Sequence, residues 1–262
     1  MLKRVIIIIS LLLILPVSIT LGNKEKFTFE QNMITVKRIS FPCVKPPIKL
    51  IENMMDSVSV QFHNIDNTNW PGYSYKPEVS FRIAYSKDEI YIQYRVKEKY
   101  IRAFYTKDEG SAPYEDSCVE FFIIPGESDT IYYNLELNCI GVGTFAGGPN
   151  RKERTRFGTE VTSQIRRLST LVKKNSLDKD GNILKEGFDT KEGDFEWSLT
   201  IALPIKLFSL NKIAPLSGRS VKANFYKCGD DLPEPHYLSW NKVGTERPNF
   251  HTPEYFGILC FE

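Results

Sequence analysis

Surplus charge is what this 262-residue chain has least of: 34 Lys and Arg face 32 Asp and Glu, for a formal net charge of +2. Cations and acids are mixed along its length, so no basic stripe points to nucleic acid. Histidine is scarce. His63, His236 and His251 are the three copies, and none share a paired spacing. The five cysteines, Cys43, Cys118, Cys139, Cys228 and Cys260, are odd in number and fit no zinc pattern. Cys118 and Cys139 are the best-placed pair for a bridge, since a hairpin would bring their strands together; buried free thiols are the alternative. Cys228 and His236 flank the loop 229–235, but the spacing argues against a zinc pair. Asp178-x-Asp180-Gly181-Asn182 has its Gly too early and no closing Glu for a calcium loop, and reads as a polar turn. There is no Gly-x-Ser-x-Gly elbow and no Cys-His signature, so nucleophilic catalysis finds no support. Internal repeats, low-complexity tracts and long helical stripes are also missing, and the length suits one large domain.

Long apolar runs are confined to the start. Lys3 and Arg4 precede an apolar run over 5–15 interrupted only by Ser10, then Pro16 and the small residues near Gly22. This is the pattern of a signal peptide over 1–22, leaving 23–262 as a secreted or periplasmic chain. The run is shorter than the roughly 20 residues of a spanning helix; an uncleaved anchor is the alternative. No Cys near its end offers a lipoprotein site, and no later segment is apolar enough to cross a membrane.

What is present in quantity is aromatic surface, 13 % of residues. Strands favour such side chains, and flat rings also pack on the C–H faces of sugars. Period-two alternation marks Phe81, Ile83 and Tyr85, then Ile90, Ile92, Tyr94 and Val96, with a turn at 86–89. A second pair spans 118–124 and 131–138, joined at 125–129. Further strands are predicted at 196–203, 221–226, 237–240 and 256–261, with one short helical turn in 204–210. Segment 163–174 fits a helix or a strand. The polar stretch 149–194 reads as long loops around one ordered element. The whole predicts an all-β, antiparallel β-sandwich, jelly-roll-like, with long polar loops.

Two segments carry most of the information. The first is Tyr114-Glu115-Asp116-Ser117-Cys118-Val119-Glu120-Phe121-Phe122-Ile123, an aromatic and acidic loop running into a strand. The second is Ser239-Trp240 followed by Arg247-Pro248-Asn249-Phe250-His251-Thr252-Pro253-Glu254-Tyr255-Phe256-Gly257. Together they resemble the family 9 carbohydrate-binding modules known as appendages of xylanases, and the resemblance extends over about 66–261. It implies a β-sandwich in which two loop aromatics clamp the end of an oligosaccharide or polysaccharide. The first aromatic matches Tyr114 and the second Phe250, where familiar members carry Trp. The family's Glu matches Glu120, and a family Arg on the next strand falls on Asn134. His251 is added as a hydroxyl partner from its place beside Phe250. For each of these the plain alternative is a loop anchor or a local hydrogen bond. Trp197 and Trp240 are expected in the core. No cofactor is implied; members also bind structural calcium, but its acids have no match here.

The sequence also admits two other functions. The acids Glu115, Asp116 and Glu120 admit a glycoside hydrolase or a hydrolase subunit, which needs two carboxyls facing one bond. Adjacent strand residues point to opposite faces, so Asp116 and Glu120 are the pair that would share one. A haem-binding sandwich needs an axial Met, His or Lys, and Met33, Met54 and Met55 all precede the recognisable sandwich.

Overall fold

The computed structural model of the chain describes residues 31–126, 130–171 and 186–262. The expected leader and the 178–182 turn lie outside the described residues. The strands are β1 (Met33–Arg38), β2 (His63–Asn64), β3 (Asn67–Thr68), β4 (Glu78–Tyr85), β5 (Glu89–Ala103), β6 (Cys118–Ile124) and β7 (Tyr132–Asn138). They continue with β8 (Gly143–Gly148), β9 (Thr155–Arg156), β10 (Arg166–Ser169), β11 (Phe188–Pro204), β12 (Ser220–Cys228), β13 (Tyr237–Ser239) and β14 (Gly257–Phe261). Two helices, α1 (Ile48–Ser57) and α2 (Thr159–Thr162), and three short 3-10 turns complete the elements of the described residues.

The strands run in the order β10-β11-β5-β4-β1-β14-β12-β6-β7-β8-β9. β1 is the seam. Its first half pairs with β14, from Met33 opposite Ile258 to Val36 opposite Phe261, and its last two residues pair with β4. Both pairings are parallel, the one departure from the antiparallel sandwich expected. On either side of the seam the sheet curls into two layers that face each other. Phe81 of β4 stacks on Phe225 of β12 with centroids 3.6 Å apart. Tyr94 of β5 donates to the Glu120 carbonyl of β6 at 2.8 Å. The fold is therefore an all-β sandwich, as its alternating strands predict.

Alternation also explains why β6 and β7 are buried throughout. Val119, Phe121 and Ile123 point into the main core with Tyr133, Leu135 and Leu137. On the other face, Cys118, Phe122, Ile124 and Tyr132 join a second aromatic cluster with Trp70, Tyr226, Phe250 and Phe256. Loops, not a third sheet, cover that face. Trp197 and Trp240 lie in the main core.

Several details depart from what the sequence predicts or go beyond it. Residues 31–60 belong to the sandwich: β1 is its seam, and α1 packs Ile51 and Met55 against Ala84, Tyr91 and Ala202. The polar stretch 149–194 holds β9, α2, β10 and the start of β11. The segment from 163 that fitted helix or strand follows the last turn of α2 and then forms β10. Strand β8 was not anticipated, because its Gly-rich sequence carries no alternation. Its glycines are needed for close approach: a Cβ on Gly143 would meet the Glu136 carbonyl oxygen at 1.8 Å. All five cysteines are free thiols. The neighbours of Cys118 across its strand are Asn138 and Cys228, not Cys139.

Candidate functional site

The outer face of β6, β7 and β12 forms the floor of a small cavity of about 100 Å³. Its lining includes Tyr114, Glu120, Phe250 and His251, four of the five residues singled out from the sequence. The fifth, Asn134, is buried and is not among the lining residues; its amide donates to the lining Glu136 at Oε1, 2.7 Å away.

Tyr114 stands on the 3-10 turn Pro113–Glu115 and is 36 % exposed, so its ring is available at the cavity mouth. Asp116 holds that turn in place. Fully buried, it accepts from Phe104 N at 2.9 Å, Tyr105 N at 3.1 Å, Asn138 Nδ2 at 2.9 Å and Arg102 Nη1 at 3.1 Å. Glu115 takes the Tyr105 hydroxyl at 2.5 Å. Both acids thus serve the loop, and neither lines the cavity. The loop after β12 is tied to the same turn, Asp230 N donating to the Tyr114 carbonyl at 2.9 Å.

Phe250 is 8 % exposed. One face stacks on Tyr226 with centroids 4.0 Å apart, and Trp70 lies 5.9 Å away. It is anchored among rings and meets the cavity with what remains. Tyr237, a ring the sequence reading placed only in a strand, lines the cavity as well. His251 is gripped at both nitrogens: Tyr132 Oη lies 2.9 Å from Nδ1 and Arg154 Nη1 3.0 Å from Nε2. Burial, with Arg154 and Arg151 beside it, holds its pKa down to about 3, so the ring is neutral.

Glu120 and Glu136 are directly opposite each other on β6 and β7. Burial, reinforced by Glu136, pushes the Glu120 carboxyl well above the usual carboxylate range. Burial also raises Glu136, against the pull of Arg154, whose Nη1 is 3.8 Å from Glu136 Oε1. Burial raises Asp230 to about 6. Two acceptors at or beside this site, Asn134 Oδ1 and Asp230 Oδ1, are buried and have no hydrogen-bond partner among the described residues.

Glu136, Arg151, Arg154 and Tyr237 also line the cavity, and none of them belongs to either motif. A signal for Glu136 existed, since it lies two residues beyond Asn134 on the same strand face. The two arginines arrive from the polar stretch after β8, and no local pattern carries that. Where the resemblance puts a positive charge at the position of Asn134, Arg154 brings one in from the neighbouring loop. His236 is not a metal partner of Cys228: its Nε2 lies 2.8 Å from Lys227 Nζ and its Nδ1 3.0 Å from the Glu234 carbonyl. None of the described methionines lines the cavity, which leaves a haem without a Met ligand there. A wider groove of about 670 Å³ runs past Glu78, Arg95, Lys97 and Glu196, but its one aromatic, Trp197, is buried.

The family model for carbohydrate-binding family 9 matches residues 49–261. The chain belongs to carbohydrate-binding family 9. A candidate carbohydrate-binding protein from Bacteroides uniformis is 37 % identical, with a TM-score of 0.80 over 89 % of this chain and 100 % of that one. A family 9 module from Caldicellulosiruptor kristjanssonii, solved with glucose, has 13 % identity and a TM-score of 0.50 over 88 % of this chain and 96 % of that one. Its complex with cellotriose matches at the same identity and TM-score over 94 % of that chain. At that identity the likeness concerns the fold. No curated protein sequence matches the chain. As for the calcium that family 9 implies, the one cluster of three His, Cys, Asp or Glu ligand atoms among the described residues contains two sulfurs. That donor set does not fit a cation that takes six to eight oxygens.

Proposed function

We propose that this family 9 module binds carbohydrate without cleaving it, holding one end of an oligosaccharide in the cavity beside Tyr114. The observation that carries the reading is a buried, partnerless acceptor, Asp230 Oδ1, on a residue that lines an aromatic-walled cavity. A buried acceptor without a donor is costly, and sugar hydroxyls are donors of the right kind. Tyr114 supplies the apolar face, Tyr237 and Phe250 the wall, and Glu120 and Asp230 the polar contacts, with His251 held between Tyr132 and Arg154 and Asn134 bonded to Glu136 behind them. This division of labour is usual for small-ligand sites. The cavity is far below the roughly 300–1,000 Å³ of drug-sized pockets, which favours a single terminal sugar over a stretch of chain. Two of the structural relatives were solved with glucose and cellotriose, which makes gluco-configured ends the first ligands to try. With the expected leader, the setting we propose is an exported module that serves polysaccharide breakdown beside a glycoside hydrolase.

Calorimetry of the purified chain against glucose, xylose and the cello- and xylo-oligosaccharides tests this. Saturable binding is expected, weakened about tenfold or more in Tyr114→Ala, the loss of one stacking ring being worth about 1–2 kcal/mol. Absence of binding to every sugar would sink the reading. A hydrolase is the second reading, favoured by the Glu120–Glu136 pair facing one cavity. It requires release of reducing ends that Glu120→Gln abolishes.

A further inference from the structure

Behind the Tyr114 wall, two thiols and a carboxyl converge. Cys118 and Cys228 are directly opposite on β6 and β12, and Glu120 follows Cys118 by two residues on the same strand face. Both sulfurs and a Glu120 carboxylate oxygen lie within 4.8 Å of one another, and all three residues are buried. Cys228 Sγ is 3.1 Å from Glu120 Oε1. Packing alone accounts for the cysteines, which behave as small apolar groups. It does not account for a buried carboxyl held by a thiol, a weak donor.

We propose that Cys118, Glu120 and Cys228 form a binding site for one soft divalent cation of the zinc class. The donor set of two sulfurs and one oxygen selects zinc-like ions over calcium or magnesium. Tetrahedral zinc, with bonds near 2.3 Å to sulfur and 2.0 Å to oxygen, sets its ligand atoms about 3.5–3.8 Å apart. The three atoms, all within 4.8 Å of one another, reach that spacing with shifts of about 1 Å or less. Glu120 and Cys228 also line the cavity, which provides the entry path and leaves the fourth position open to it. Binding is a proton exchange: the cation replaces two thiol protons and one carboxyl proton, which leave to solvent. No oxidant or reductant takes part. The site does not depend on the sugar reading, because it is measured with no sugar present.

Cobalt(II) is the probe, added without oxygen to the reduced chain carrying Cys43→Ser and Cys260→Ser. Those two cysteines are the exposed and half-exposed ones, and removing them leaves only buried thiols. One equivalent should bind, with thiolate-to-cobalt charge-transfer absorption and the intense visible bands of a tetrahedral site. Zinc should displace it. Cys228→Ser in the same background should weaken binding roughly a hundredfold, and Glu120→Gln should weaken it and shift the visible bands. Should Cys118→Ser fail to fold, Cys228→Ser, at the cavity surface, carries the test. The proposal is overturned if the folded chain gives no cobalt absorption, or if the absorption persists unchanged in Cys228→Ser. Isolation of the untreated chain with Cys118 and Cys228 joined by a disulfide overturns it too.

Discussion

His251 sits where three influences meet: the stacked rings around Phe122, the Tyr132 hydroxyl, and the guanidinium of Arg154. Its pKa, held near 3 chiefly by burial, lies below the unfolded value near 6.5. The native state therefore binds fewer protons than the unfolded chain between those values. The stability this represents is present above pH 6.5 and is lost as pH falls toward 3. At pH 5 the loss amounts to about 2 kcal/mol. Glu120, Glu136 and Asp230, whose carboxyls burial raises, gain stability over the same range, so the readout is the difference between chains. From pH 7 to pH 5, urea unfolding should show a change about 2 kcal/mol less favourable in the native chain than in His251→Gln, which keeps a donor for Tyr132 and an acceptor for Arg154. An equal change in the variant would assign the pH dependence elsewhere. Tyr114, Glu120 and His251 were legible in the sequence because each belongs to one of two contiguous motifs. Arg154 and Tyr237 were not, since what brings them to the cavity is loop packing between residues far apart in the chain. Asp116 was legible as an acid but not as a brace. Its role depends on Asn138 and on two backbone amides of the preceding loop.

At the scale of elements, alternation did most of the work. β4, β5, β6, β7, β12 and β14 each contain a stretch with apolar residues at every second position, and each forms where that period predicts. β8 carries the opposite signature. Its Gly143 lies so close to β7 that a methyl group would overlap the Glu136 carbonyl. Gly143→Ala is thus expected to push β8 away from β7 and cost about 3 kcal/mol or more, at the upper end for overpacking. A thermal melt reads the cost directly, and an unchanged midpoint would show that the strand shifts freely. Strands β9 and β10 were hidden for another reason. They are short and polar, they sit at the two ends of the strand order, and backbone pairing alone defines them. β1 does alternate, at Ile34 and Val36, but it is too short to announce that it joins both layers.

At the scale of the whole molecule, a fully buried ion pair links the two layers. Lys227 on β12 and Glu98 on β5 are both fully buried, with Nζ 2.9 Å from Oε2. Trp197 Nε1 donates to the other Glu98 oxygen at 2.7 Å, and His236 accepts from Lys227. Removing one partner strands the other charge, so Lys227→Ala should cost about 3–5 kcal/mol in equilibrium unfolding. The double variant Lys227→Met with Glu98→Leu should recover most of that loss, because an apolar pair of similar volume often replaces a buried ion pair without penalty. A double variant as unstable as the single one would mean that the rings around the pair, not its charges, set the cost. The seam strand has a mechanical consequence. β1 and β14 run parallel and side by side, paired from Met33–Ile258 to Val36–Phe261. The chain therefore enters this pair at one end and leaves it at the other. Tension between a tether before β1 and one after β14 slides the two strands along each other, so the rungs between them share the load as a lap joint does and are not peeled apart one at a time.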